Sequence, residues 1–105
     1  MRYVIDIDGT ICTITDGNYG FAEPIKDRID KINLLYDSGN VIVLHTARGM
    51  NTFNSDVEQV NSTYYNFTKD QLEKWGVKYH KLIMGKPSGD LYIDDKGIQA
   101  DDFFK

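Results

Sequence analysis

Only one cysteine, Cys12, and two prolines, Pro24 and Pro87, occur among the 105 residues. A lone cysteine excludes an internal disulfide framework and fits a reducing compartment. No apolar run approaches the roughly 18 residues that a membrane-spanning helix needs. No signal-peptide pattern precedes the first apolar stretch. There is no basic block either: twelve Lys and Arg against sixteen Asp and Glu leave a formal charge of −4. That balance argues against a large nucleic-acid footprint, because a polyanion would approach against the field. Repeats, linkers and low-complexity segments are absent. These absences predict a cytoplasmic, non-membrane protein of one compact domain, residues 1–105, a length that suits one core and not two. The triplets Asn61-Ser62-Thr63 and Asn66-Phe67-Thr68 match a glycosylation pattern but carry no weight without a secretion signal.

What is present alternates between strand and helix patterns. Tyr3-Val4-Ile5 reads as a first strand, and residues 11–22 as an irregular loop or small hairpin. Pro24 sits where a helix begins. Ile25, Ile29, Ile32 and Tyr36 then repeat at helical spacing, and Gly39 ends the run. Val41–Leu44 is a continuous apolar run, as expected of a strand buried on both faces. Gly49–Asn54 is polar and loop-like. Ser55 and Glu58 have the spacing of a capping box. Thr68 can cap a further turn through Leu72 and Trp75, so residues 55–75 form one helix or two. Leu82-Ile83-Met84 reads as a third strand and Leu91-Tyr92-Ile93 as a fourth, with Phe103 and Phe104 packing the tail onto the body. Such alternation predicts an α/β fold: a small Rossmann-like parallel sheet flanked by helices.

In sheets of this kind ligands bind outside the carboxyl ends of the strands. Polar residues follow every apolar run: Asp6 and Asp8, then His45, Thr46 and Arg48, then Gly85 and Lys86, then Asp94 and Asp95. Aspartate is disfavoured in strand interiors, and a buried carboxylate needs a partner. Four carboxylates gathered together would raise one another's pKa, and a divalent cation relieves that. Oxygen-only ligation with waters left over suits Mg²⁺. A lysine and a hydroxyl in the same crevice suit phosphate. The combination points to phosphoryl transfer, with an aspartate able to serve as nucleophile.

These residues resemble the haloacid dehalogenase-like (HAD) phosphatase superfamily, in a capless form. Asp6-Ile7-Asp8-Gly9-Thr10 matches its DxDGT motif, Thr46 the second motif, Lys86 the third and Asp94-Asp95 the fourth, in the family's order. His45-Thr46-Ala47-Arg48-Gly49 and Leu91–Lys96 further resemble a small bacterial branch described as capsule-biosynthesis phosphatases. The resemblance implies that Asp6 attacks phosphorus. Asp8 would protonate the leaving oxygen and later deprotonate water. Thr46 and Lys86 would bind the phosphoryl group, with Gly9 and Thr10 beside it. Asp6, Asp8, Asp94 and Asp95 would hold Mg²⁺. Only 35 residues separate Thr10 from Thr46, and 39 separate Thr46 from Lys86. Neither gap accommodates a cap domain. A capless site needs a large substrate, a neighbouring subunit in a homo-oligomer, or an open crevice.

Each residue has a structural alternative. Arg48 either reaches a distal phosphate or carboxylate on the substrate or forms an ion pair within the fold. His45 either binds substrate or is a hydrogen-bonded structural histidine. Cys12 is a poor candidate for a nucleophile beside the aspartates. Tyr64, Tyr65 and Phe67 are core residues by default. The leading expectation is a Mg²⁺-dependent phosphomonoesterase acting on a sugar phosphate or similar polar metabolite. The alternatives are a polynucleotide 3′-phosphatase and a non-catalytic module that binds a phosphorylated ligand.

Overall fold

The computed structural model describes residues 1–105. Strands β1 (Arg2–Asp6), β2 (Val41–Thr46) and β3 (Lys81–Met84) form one parallel sheet in the order β1-β2-β3. Helix α1 (Lys26–Asp37) crosses from β1 to β2, and α2 (Val57–Lys74) crosses from β2 to β3. The expected α/β class, a small Rossmann-like sheet flanked by helices, is what the chain adopts. No helix is long and apolar enough to cross a membrane.

Strand alternation sets the core. Tyr3, Ile5, Ile42, Leu44, Leu82 and Met84 fall on one face, with Ile5 beside Leu44 and Leu44 beside Leu82. Ile42 and Leu44 are fully buried there, packed in one cluster with Ile29 and Ile32 of α1 and Val60 and Leu72 of α2. On the second face Val43 is buried, yet Val4 is 63% exposed. The expected two-sided burial therefore holds for the middle of β2 and lapses at its neighbour.

The helices begin and end for local reasons. Pro24 precedes the N-cap of α1, Ile25. Gly39 stops the helix with a left-handed φ of +93°, its N–H donating to the Tyr36 carbonyl. Helix α2 is one helix, not two. Its cap is Asp56, whose carboxylate accepts from the Gln59 N–H at 3.3 Å. The expected cap, Ser55, lies one residue too early, at φ +66°. Thr68 caps nothing; it is buried within α2, where no glycine or proline interrupts the helix.

The expected fourth strand does not form. Leu91 and Ile93 are 80% and 93% exposed, and β1 pairs on one side alone. Tyr92 explains the departure. Its hydroxyl donates to the Pro87 carbonyl at 2.6 Å, folding the run back on its own turn. A third helix, α3 (Ala100–Phe103), closes the chain. Phe103 packs 5.7 Å from the Tyr3 ring and beneath the Lys31 ammonium, as expected of the tail.

Leu44 is the central test of this core. Leu44→Ala leaves a cavity between the sheet and its helices, and should cost about 3 kcal/mol of unfolding free energy. Urea melts should show a lowered midpoint with an unchanged slope.

Candidate active site

Asp6 is the last residue of β1, and His45 lies beside it in the register. The Lys86 Nζ stands 3.6 Å from Asp6 Oδ1. Its position follows from the backbone: Gly85 turns at φ +90°, and the Lys86 N–H donates to the Thr46 carbonyl at 3.0 Å. Lys86 therefore ties the end of β2 to the end of β1. The Thr46 side chain is buried, and its Oγ1 accepts from the Arg48 N–H at 3.1 Å. That leaves its O–H free to donate. The Tyr92 ring covers the Lys86 ammonium at 4.1 Å. The structure thus brings Asp6, Thr46 and Lys86 to one carboxyl edge.

Asp8 has a different surrounding. Gly9, at φ +80°, starts a tight turn in which the Gly9 N–H donates to Cys12 and the Thr10 N–H to Ile7. The amides of Gly9 and Thr10 are therefore held by this turn. The turn aims the Asp8 carboxylate inward at Arg48. Nε donates to Oδ2 at 2.8 Å and Nη2 to Oδ1 at 2.9 Å. Of the two readings open for Arg48, the ion pair within the fold is the one formed: its side chain has no exposed surface. A buried guanidinium must satisfy all its donors within the fold. Nη1 does so on Gln71 Oε1 at 2.7 Å and Thr68 Oγ1 at 3.4 Å, and the plane lies 4.7 Å from the Tyr19 ring.

Burial decides the protonation preferences. It pushes the Asp6 carboxyl above the ordinary aspartate range, with Lys86 opposing and Asp8 adding to the rise. It lowers His45, with Lys86 reinforcing and Asp6 opposing, so the imidazole is neutral at neutral pH. The Cys12 thiol is pushed up to about 12, first by burial and then by the Asp8 charge. A protonated, buried thiol is no nucleophile.

Asp94 and Asp95 come shortly after Tyr92, whose ring covers Lys86. Both are exposed, and Asp94 Oδ1 accepts from the N–H groups of Lys96 and Gly97 in its own turn. Nowhere do three acidic, histidine or cysteine side chains gather to hold a metal ion. Of the four expected ligands, Asp6 faces Lys86 and Asp8 faces Arg48.

The sequence reading passed over Tyr19, Gln71 and Tyr92. Tyr19 and Gln71 act through contacts across long stretches of chain, which no local spacing announces; Tyr92 reaches only to Lys86 and Pro87. Tyr19 lies in a 3-10 turn, Tyr19–Phe21. Its hydroxyl accepts from the Gly49 N–H at 2.9 Å, and its carbonyl accepts from Gln71 Nε2 at 2.8 Å. The loop over residues 11–22 is thereby fastened to the loop after β2. Between them runs a crevice of about 360 Å³, lined by Asp16, Gly17, Tyr19, Ala47, Asn51 and Thr52.

No protein-family model matches this chain, and no curated protein does. Among solved structures, the chain is similar to a crystal structure of a target protein from Vibrio cholerae, with 28% identity and a TM-score of 0.91. The alignment covers 98% of this chain and 86% of the Vibrio chain. The likeness extends over the whole α/β architecture, and no activity comes with it.

The raised pKa of Asp6 has a thermodynamic consequence. The folded state favours the protonated carboxyl, so its contribution is favourable below the unfolded pKa and is lost as pH rises through the folded one. Asp6→Asn removes that loss. The variant should melt above the wild type at neutral pH, with the gap closing in acid. Calorimetry across pH checks both halves of this expectation.

Proposed function

We propose that this chain is a HAD-type phosphomonoester hydrolase acting on a phosphorylated polar metabolite such as a sugar phosphate. The observation that carries the reading is the Asp6–Lys86 pair at the carboxyl edge of the sheet, where the Lys86 N–H also donates to the Thr46 carbonyl. The resemblance of the DxDGT run and of the later motifs supports it. In this reading an Asp6 oxygen attacks phosphorus and the ester P–O bond breaks. Asp8 supplies the proton that the departing oxygen takes up. Water then attacks phosphorus of the aspartyl-phosphate, Asp8 takes the proton, the bond from phosphorus to the Asp6 oxygen breaks, and Asp6 is regenerated as inorganic phosphate leaves. Lys86 balances negative charge on Asp6 and on the phosphoryl oxygens, and Thr46 donates to one of those oxygens. Asp16, Asn51 and Thr52 offer polar groups in the crevice, which suit the hydroxyls of a sugar.

The reading includes Mg²⁺, which the resemblance implies and which would supply further charge neutralisation. The residues that would hold it are Asp6, Asp8, Asp94 and Asp95. A cytoplasmic location and a homo-oligomer that covers the open crevice belong to the same proposal.

Purified protein should hydrolyse members of a panel of phosphorylated sugars in preference to phosphorylated oligonucleotides. Asp6→Asn should lower turnover by at least about a thousandfold while circular dichroism shows an intact fold. Retained turnover in that variant removes Asp6 as nucleophile. Excess EDTA should abolish activity, with Mg²⁺ restoring it and Ca²⁺ doing so poorly. Undiminished turnover in EDTA removes the metal from the proposal.

A further inference from the structure

We propose that an aromatic recess beside the crevice is a subsite for a planar ring, and that the phosphorylated metabolite is a free nucleoside monophosphate with a single-ring base. The proposal rests on the phosphatase reading and names its substrate class by the groups that lie beyond the phosphate.

The recess is a second cavity, of about 190 Å³, lined by Gly17, Tyr19, Gly20, Thr63, Tyr64 and Phe67. Helix α2 supplies Thr63, Tyr64 and Phe67, which share one face because Phe67 stands four and three residues after the other two. The loop before α1 supplies the rest. Two of its residues there are glycines. A Cβ on Gly17 would have nothing within 4 Å, and one on Gly20 would reach only the tip of the Phe67 ring, at 4.0 Å. Phe67, a core residue by default from its type, is 41% exposed and stands outside the core cluster. Apolar surface left in water at a cavity wall is surface that a ligand can cover. Tyr64 is already fixed by its neighbours, Tyr19 edge-on at 5.3 Å and Phe53 tilted at 6.2 Å. The walls are thus formed before a ligand arrives, as small-molecule sites usually are.

The lining selects the ligand. Half of it is aromatic, and it contains no charged side chain. Such walls suit a flat, uncharged ring held by stacking or edge contacts. A cavity of about 190 Å³ is smaller than the roughly 300–1,000 Å³ that enclose drug-sized molecules, so it takes one ring and not a fused pair.

Position decides what carries the ring. Gly17 and Tyr19 line both the recess and the crevice. The crevice also touches Ala47, the residue after Thr46. Three surfaces are therefore linked in order. Asp6 and Lys86 mark the phosphate end, the exposed Asp16, Asn51 and Thr52 suit hydroxyls, and the recess suits a ring. Phosphate, sugar and base follow in that order in a nucleotide. Neither cavity is lined by Lys or Arg, so nothing there tracks a polyanionic backbone. That favours a free nucleotide over the end of a nucleic acid.

The test compares uridine 5′-monophosphate with ribose 5-phosphate, which share the primary phosphate ester and the ribose and differ by the base. Stacking on one aromatic wall is worth roughly five- to a hundredfold, so kcat/KM should be at least about tenfold higher for the nucleotide. The gain should lie in KM, because the ring is held alike in ground and transition states. Phe67→Ala, at a half-exposed position, should cut that ratio to less than about threefold, and Phe67→Leu should leave it between the two. Uridine, which has no phosphate, should receive saturation transfer from the wild-type protein in NMR, and lose it in Phe67→Ala. Equal kcat/KM for the two esters, with no transfer to uridine, would overturn the recess and leave the phosphatase reading standing. Transfer to uridine without turnover of any ester would uphold the recess and overturn the phosphatase reading. Adenosine 5′-monophosphate turned over as well as the uridine nucleotide would overturn the single-ring limit. A preference for a 5′-phosphorylated oligouridine over the free nucleotide would overturn the substrate class.

Discussion

A guanidinium with no exposed surface lies beneath the carboxyl edge of the sheet, and much of the surrounding structure exists to satisfy it. Arg48 follows β2, Asp8 follows β1, Gln71 and Thr68 belong to α2, and Tyr19 belongs to the loop between β1 and α1. One buried side chain thus ties four parts of the chain that share no local sequence. Such a pair is weak evidence of net stabilisation, because both charges lose their hydration. Breaking it is another matter: an uncompensated charge left inside costs about 3–5 kcal/mol. The arrangement therefore acts chiefly as a constraint. It admits one geometry for the turn after β1 and one orientation for α2 against the sheet.

The two aspartates, only two residues apart, end in contrasting surroundings. Asp8 is paired with a fully buried guanidinium through two short hydrogen bonds. Asp6 faces a flexible lysine at 3.6 Å, with about a third of its side chain open to solvent. Placing two carboxyls in unlike environments is a recurrent way of giving them unlike chemical roles. Here the turn after β1 separates them: Asp6 ends the strand, Asp8 lies in the turn, and Ile7 between them is wholly buried in the core. Burying Ile7 holds the strand's end in place, so packing of an apolar residue sets the position of both acids.

The loops after β1 and β2 owe their shape to left-handed backbone at a few positions. Gly49, at φ +78°, lies against the Tyr64 ring, where an added Cβ would stand 2.6 Å from a ring carbon. Glycine is required there on both counts. Its N–H meets the Tyr19 hydroxyl, and Tyr19 in turn packs edge-on against Tyr64 at 5.3 Å. The Tyr64 cluster is therefore a support for the crevice wall as well as a core element. Similarity over 98% of the chain to a Vibrio cholerae protein of 28% identity indicates that this architecture accommodates extensive change in sequence.

Periodicity alone determined the α/β class, the three strands that form, the extent of α1 and the edge at which polar residues collect. These features follow from spacing and from turn residues, which act over a few positions. Tertiary structure alone decided the rest. Leu91-Tyr92-Ile93 has the composition of a strand, but Tyr92 bonds Pro87 and covers Lys86, so the run stays off the sheet. Ser55 and Glu58 have the spacing of a cap, but Asp56 takes that place because Ser55 adopts a left-handed conformation. Arg48 was equally able, by type, to face a substrate or an ion pair. The choice went inward because Asp8, Gln71 and Thr68, distant in sequence, converge on one buried point where every N–H finds an acceptor. Convergence of that kind is a property of packing in three dimensions, and no run of neighbouring residues encodes it.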